Sequence, residues 1–109
     1  MTNTARDYTF VGDIVAGVMA ALKYDRSSFE IFNLGGFATT TLSELIRMIE
    51  METGRKAEIH QLPDQAGDVP RTYADVSKSA ALLDYQPQVP IREGIRRYVK
   101  WCEEQSRGQ

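Results

Sequence analysis

The sequence predicts a single mixed α/β domain, in which short strands pack with amphipathic helices around one core. Its 109 residues correspond to about one domain. Hydrophobic residues make up 42% and charged residues 26%, which is typical of a globular protein and excludes a disordered, coiled-coil or collagen-like chain. Apolar positions change between helical spacing and short β-rich runs, and the order along the chain is β-α-β-α-β-loop-α-α.

The first strand and the first helix are predicted near the amino terminus. Residues 1–5 are polar and are expected to be frayed. A very short strand is predicted at Tyr8, Phe10 and Val11, since aromatic and β-branched residues favour strands. The helix that follows is predicted from an apolar stripe with helical spacing, which comprises Ile14, Val15, Val18 and Leu22.

The second strand is predicted at residues 29–34, a short apolar run that two glycines close. The next helix is predicted to begin at Thr41, where the run Thr-Leu-Ser-Glu matches a capping box. In this motif the Thr41 hydroxyl accepts from the Glu44 N–H, and the Glu44 carboxylate accepts from the Thr41 N–H. Gly54 is predicted to end the helix, because glycine adopts positive φ without steric cost.

A third strand is predicted at residues 56–62, where apolar and polar side chains alternate. Residues 63–70 form the longest loop-like stretch, of the kind that often carries function. Asp75 is predicted to be the N-cap of a short helix. The last helix is predicted from a second apolar stripe, which comprises Ile91, Ile95, Tyr98, Val99 and Cys102.

The composition excludes several classes of function. A net charge of −2 and a pI near 5.4 leave no basic excess for binding nucleic acid. The densest basic cluster is interpreted as a solvated helix face, and it comprises Arg92, Arg96, Arg97 and Lys100. Apolar runs are far shorter than the ~20 residues of a membrane span, and no secretory signal is visible. Cys102 and His60 cannot supply the four ligands of a structural zinc site.

Four segments resemble, in order, the C-terminal part of extended short-chain dehydrogenase/reductases that act on nucleotide sugars. They begin with Arg-Asp-Tyr-Thr-Phe-Val-Gly-Asp-Ile from Arg6 and with Phe-Asn-Leu-Gly-Gly from Phe32. They continue with Gly-Asp-Val-Pro-Arg-Thr-Tyr-Ala-Asp from Gly67 and with Leu-Leu-Asp-Tyr-Gln-Pro from Leu82, and Glu-Gly-Ile follows from Glu93. The pattern covers nearly the whole chain and is most similar to that of the UDP-glucuronate 4-epimerases.

The resemblance implies that NAD is the cofactor of the full-length family and that a different part of those proteins binds it. Family members carry an N-terminal Rossmann domain with a Gly-x-x-Gly-x-x-Gly turn for NAD, and a Tyr-x-x-x-Lys catalytic pair. This sequence contains neither pattern, so we assign it no catalytic, NAD-binding or metal-binding residue. Hydride chemistry of the family type needs the nicotinamide and a mobilised tyrosine proton. The chain alone is therefore expected to be catalytically inactive.

The resemblance also implies that Arg6 contacts the diphosphate of a nucleotide sugar. A guanidinium suits phosphate oxygens, since it forms bidentate, charge-assisted hydrogen bonds. The alternative for Arg6 is a surface ion pair with Asp7 or Asp13. These two aspartates are expected to cap and orient the helix that follows them.

Three further contacts are implied in and just after the predicted loop. Gln65 stands where UDP-galactose 4-epimerases carry an arginine that holds the diphosphate, so it can hydrogen-bond but cannot neutralise charge. Asp68 accepts from a ribose hydroxyl or simply shapes the turn. Arg71 is a second cationic contact or a solvated loop residue.

Three functional hypotheses follow. The chain is the UDP-sugar-binding part, or a truncated form, of an epimerase or dehydratase; or it is a free-standing interaction or regulatory module; or it is a subunit that complements a separate Rossmann half. A domain surface left uncovered, on the order of 600–1,500 Å², favours self-association, so a homo-oligomer is expected. The single cysteine fits a reducing, cytoplasmic location, and no nucleic acid or membrane partner is expected.

Overall fold

The computed structural model describes residues 4–36, 38–63, 72 and 74–107. It confirms the predicted class, a small mixed α/β fold with short strands and amphipathic helices. The elements in chain order are β1 (Ala5–Arg6), α1 (Val11–Leu22), β2 (Thr40–Thr41), α2 (Leu42–Thr53), α3 (Ser77–Leu83) and α4 (Ile91–Arg107). β1 and β2 form an antiparallel pair, in which Ala5 lies opposite Thr41 and Arg6 lies opposite Thr40.

The first strand lies earlier in the chain than predicted. The prediction of a strand at Tyr8, Phe10 and Val11 is wrong, because Val11 already begins α1. Residue 5, which was expected to be frayed, belongs to β1 instead. Backbone hydrogen bonds hold this end of the chain, since the carbonyls of residues 4 and 5 accept from the N–H groups of Leu42 and Thr72 at 2.9 and 3.1 Å.

The strands predicted at residues 29–34 and 56–62 are also wrong. A strand needs a hydrogen-bonded neighbour, and within the described part of the chain neither segment has one. Residues 29–34 are held mainly by side chains. The ring of Phe32 packs edge-on against Tyr24 with 5.2 Å between centroids, and the Asn33 carbonyl accepts from a side chain of α3.

The helices begin and end close to their predicted positions, because their signals are local. The capping box of α2 is complete: the Thr41 hydroxyl accepts from the Glu44 N–H at 3.2 Å, and the Glu44 carboxylate accepts from the Thr41 N–H at 3.1 Å. Gly54 ends α2 with a φ of 69°. The predicted last helix is confirmed as α4, which starts at Ile91.

Two details of α3 and α4 differ from the prediction. Asp75 is not the N-cap of α3, since Val76 occupies that position. The Asp75 carboxylate nevertheless accepts from the N–H of Ser77, the first helical residue, at 3.0 Å. Tyr98 was expected on the apolar face of α4 but is 65% exposed, where it lies beside Trp101 with 6.0 Å between ring centroids.

α4 presents its charged face to solvent, as the sequence indicated. Its basic cluster is exposed, and the Glu93 carboxylate accepts from Arg96 at 2.8 Å and from Arg97 at 3.1 Å. Exposed ion pairs of this kind contribute little to stability. Among the residues that the structure covers, no helix is both long and apolar enough to cross a membrane.

The best-buried residues lie where α1 and α3 meet the loops that follow residues 33 and 84. Tyr85 is 5% exposed, and its hydroxyl donates to the Gly35 carbonyl at 2.5 Å. Ser79 of α3 is fully buried and donates to the Asn33 carbonyl at 2.5 Å. Gly17 of α1 permits close packing, because a Cβ there would lie 2.6 Å from the side chain of Leu34. These contacts fix the chain around residues 33–36.

Candidate functional site

Arg6 is the one predicted site residue that the structure describes. It lies in β1 and is half-buried. One guanidinium nitrogen, Nη1, donates to the Ala5 carbonyl at 2.9 Å. The strand pairing with Thr40 fixes the Arg6 backbone, so the side chain projects from a held position. Its role as a phosphate contact stays a prediction.

Gln65, Asp68 and Arg71 lie outside the described residues. The next residue in the sequence after Arg71 is Thr72, and its N–H donates to the Ala5 carbonyl at 3.1 Å. Thr72 therefore lies against β1, bonded to the residue that precedes Arg6.

A cleft of about 290 Å³ opens between the chain just after β1, Leu34 and the chain just before α3. Its lining combines polar and apolar side chains, namely Asp7, Thr9, Leu34, Thr72 and Ala74. Arg6 is not among these lining residues, although it directly precedes Asp7. The volume is near the lower end for small-molecule pockets.

Asp7 organises this cleft, a role that the sequence prediction missed. Its two carboxylate oxygens accept from the Gly36 N–H at 2.9 and 3.1 Å, and one of them accepts from the Thr9 hydroxyl at 3.1 Å. A Cβ at Gly35 would lie 2.6 Å from the Asp7 carboxylate, so the glycine pair lets the backbone approach it. Asp7 does not cap α1, and that prediction is wrong.

Asp13, like Asp7, accepts hydrogen bonds from backbone N–H groups that are distant in the sequence. It lies in the first turn of α1, where the helix dipole favours a carboxylate, and it is 5% exposed. Its oxygens accept from the backbone N–H groups of Gln88 and Val89 at 2.8 and 3.0 Å. Asp13 therefore holds the chain before α4, and the prediction that it caps α1 is wrong.

Tyr85 lies beneath the glycine pair as a protonated hydrogen-bond donor. Burial, with a smaller contribution from the charge of Asp13, raises the pKa of the Tyr85 hydroxyl above its usual value. The hydroxyl therefore keeps its proton at neutral pH and donates it to the Gly35 carbonyl. Asp7 and Tyr85 hold the two glycines from different sides through different backbone groups.

The model of the GDP-mannose 4,6 dehydratase family matches residues 1–98. The chain belongs to that family. The resemblance to nucleotide-sugar epimerases and dehydratases is confirmed by curated relatives of the family. A UDP-glucuronate 4-epimerase of Thermodesulfobacterium geofontis is 39% identical over 101 residues, which are 92% of this chain and 31% of that protein. An uncharacterised protein of Methanocaldococcus jannaschii is 46% identical over 99 residues, or 91% of this chain and 30% of that protein.

Solved structures of UDP-sugar epimerases share the fold. The UDP-glucuronic acid 4-epimerase from Bacillus cereus, in complex with UDP-glucuronic acid and NAD, matches with a TM-score of 0.81 and 30% identity over 93% of this chain and 33% of that one. The UDP-glucose 4-epimerase of Thermotoga maritima, with UDP-glucose, gives a TM-score of 0.85 at 28% identity, over 95% of this chain and 33% of that one. The chain spans about a third of the length of these relatives.

Proposed function

We propose that this chain is the UDP-sugar-binding part of an NAD-dependent epimerase or dehydratase and needs a separate nucleotide-binding part for catalysis. The observation that carries the proposal is its similarity, at a TM-score of 0.81, to a region of an epimerase in complex with UDP-glucuronic acid and NAD. The held backbone position of Arg6 supports the same conclusion. A UDP-sugar would then bind with its diphosphate toward Arg6.

The start of α1 does not fit the pyrophosphate of NAD. A dinucleotide pyrophosphate binds at the N-terminus of a helix that a glycine-rich turn precedes. At the start of α1, the buried carboxylate of Asp13 would oppose an anion, and the ring of Phe10 lies against Gly12. No Gly-x-x-Gly-x-x-Gly turn exists in the sequence. We therefore derive no hydride step from this chain.

The further contacts Gln65, Asp68 and Arg71 belong to the same proposal. Thr72, the residue after Arg71 in the sequence, donates its N–H to the Ala5 carbonyl of β1. The side chains of Gln65, Asp68 and Arg71 would supply hydrogen bonds to a ribose and a second positive charge for a diphosphate. The cytoplasmic location inferred from the sequence stays a prediction alongside it.

Calorimetric titration with UDP-glucuronate tests the role of Arg6. Replacing Arg6→Gln removes a charge-assisted contact of about 2 kcal/mol, so we expect the dissociation constant to rise about thirtyfold. Arg6→Lys keeps the charge but not the bidentate geometry, and its affinity should fall between the two. The matched control is Arg55→Gln, which changes an exposed arginine just after α2. Equal affinities of the Arg6→Gln and Arg55→Gln variants would contradict the proposal.

An interaction module is a second candidate, since the structure exposes large apolar side chains along α1 and after it. The same titration separates the two candidates. A chain that acts only as an interaction module gives no heat with UDP-glucuronate at millimolar concentration, whereas a UDP-sugar-binding part does.

A further inference from the structure

The backbone of Arg6 is anchored on both sides. In β1, Arg6 itself pairs with Thr40, which is buried. Directly after Arg6, both carboxylate oxygens of Asp7 accept from the Gly36 N–H, at 2.9 and 3.1 Å. The two anchor points, Gly36 and Thr40, are four residues apart in the sequence. The candidate phosphate contact therefore lies in a piece of backbone that is attached at two neighbouring points.

The Asp7 carboxylate is closely enclosed where it makes its attachment. The Thr9 hydroxyl donates to one of its oxygens at 3.1 Å. A Cβ at Gly35 would lie 2.6 Å from the carboxylate, and a Cβ at Gly36 would lie 2.8 Å from it. The carboxylate is thus bonded to the glycine pair, Gly35 and Gly36, and packed against it at the same time. Such an enclosed group holds the backbone that carries it.

The direction of the Arg6 side chain matters for a phosphate contact. A bidentate bond from a guanidinium to phosphate oxygens requires a defined orientation as well as a short distance. The direction of the Arg6 Cα–Cβ bond is set by the Arg6 backbone, which Asp7 anchors on its carboxyl-terminal side. A long side chain that starts from a fixed backbone loses less conformational freedom when it binds a ligand.

We propose that Asp7 is a positioning residue for Arg6, whose guanidinium it directs toward the diphosphate of a UDP-sugar. The inference rests on the proposed function, because it names the residue that orients the diphosphate contact of the same site. Asp7 does not bind the diphosphate itself, since two negative charges repel each other. Its effect on binding passes through the backbone that it shares with Arg6.

Calorimetric titration with UDP-glucuronate tests this role through coupled variants. Asp7→Ala removes the acceptor of the Gly36 N–H, and we expect the dissociation constant to rise about tenfold. Asp7→Asn keeps one acceptor oxygen, so its affinity should lie between the two. The double variant Arg6→Gln with Asp7→Ala should bind about as weakly as Arg6→Gln alone. Two independent contacts would instead multiply their losses.

Gly36→Ala disturbs the same contact from the opposite side. The φ of Gly36 lies outside the left-handed region, so the backbone itself accepts an alanine. The added Cβ would lie 2.8 Å from a carboxylate oxygen of Asp7 and would displace that carboxylate. We expect weaker binding of UDP-glucuronate, by about the same factor as in Asp7→Asn, and no further weakening in the Arg6→Gln background.

Asp13→Asn is the matched control, because it changes an aspartate that also holds backbone N–H groups. Those groups belong to Gln88 and Val89, which precede α4 and do not anchor Arg6. The control should lower the unfolding temperature and leave the dissociation constant unchanged. A purely structural role of Asp7 predicts the same result for Asp7→Ala. All titrations are made below the unfolding transition of every variant, which circular dichroism melts locate.

Three results would overturn the positioning role: unchanged or tighter binding by Asp7→Ala, losses that multiply in the double variant, or an equal loss of affinity in Asp13→Asn. If Asp7→Ala does not fold, Asp7→Asn and Gly36→Ala provide the same comparison. Failure of the proposed function looks different, since the unaltered chain would then bind no UDP-glucuronate or Arg6→Gln would bind it normally. Weak binding by Arg6→Gln with normal binding by the Asp7 variants refutes only the positioning role.

Discussion

Two aspartates in one short segment fasten loops that are distant in the sequence. Asp7 holds the Gly36 N–H across 29 residues, and Asp13 holds the Gln88 N–H across 75 residues. Each carboxylate satisfies backbone donors that would otherwise be left unpaired in a partly buried place. The segment from Asp7 to Asp13, which runs into α1, therefore links the candidate cleft to the chain before α4.

Removing the Asp13 carboxylate should destabilise the fold strongly. Asp13→Ala leaves the N–H groups of Gln88 and Val89 without their acceptor, and we expect a loss of about 3 kcal/mol in the free energy of unfolding. Urea denaturation measures this loss. Asp25→Ala is the matched control, because Asp25 is exposed after α1 and a surface change of this kind should stay within about 0.5 kcal/mol. Equal effects of the two changes would contradict the role given to Asp13.

At the scale of elements, local signals predicted the helices and long-range pairing decided the strands. The capping box at Thr41 and the positive-φ glycine at residue 54 act within one turn of α2, so the sequence indicated both. The β-rich run at residues 29–34 has a strand composition, but a strand also needs a neighbour that local composition does not reveal. Asp75 lies between these two cases. Its carboxylate accepts from the first turn of α3, as an N-cap would, but Asp75 precedes the N-cap position by one residue.

The stability of α2 should depend on pH through Glu44. Hydrogen bonds from Thr41 lower the pKa of the Glu44 carboxyl below its ordinary value of 4.5. A lowered folded pKa means that the ionised box stabilises the fold above pH 4.5 and that this contribution is lost as the pH falls through the folded pKa. Thermal unfolding of the protein and of Glu44→Gln, compared between pH 7 and pH 3, should show a smaller drop for the variant. Glu104→Gln on α4 should keep the full drop, and a Glu44→Gln variant that also kept it would sink this assignment.

At the scale of the whole molecule, the sequence resemblance predicted the family and the candidate residue Arg6. The structure alone revealed that Asp7 and Tyr85 hold the glycine pair. Arg6 could be predicted because its motif is continuous in the sequence. The organising roles of Asp7 and Tyr85 could not, because their partners Gly36 and Gly35 lie 29 and 50 residues away in the sequence. Asp7 and Tyr85 thus hold the glycine pair through contacts that join distant parts of the sequence.

The unfolding temperature of this chain with different ligands should show which of them it binds. A ligand that binds only the folded state at about a hundred times its dissociation constant adds about 2.7 kcal/mol, which raises the unfolding temperature of a chain this size by about 10 °C. We expect UDP-glucuronate to produce such a shift and NAD to produce none, because the start of α1 carries the buried Asp13 carboxylate instead of a pyrophosphate cradle. GDP-mannose, which differs from UDP-glucuronate in both base and sugar, should give a smaller shift at the same concentration. A shift with NAD as large as that with UDP-glucuronate would show that this chain holds the cofactor after all.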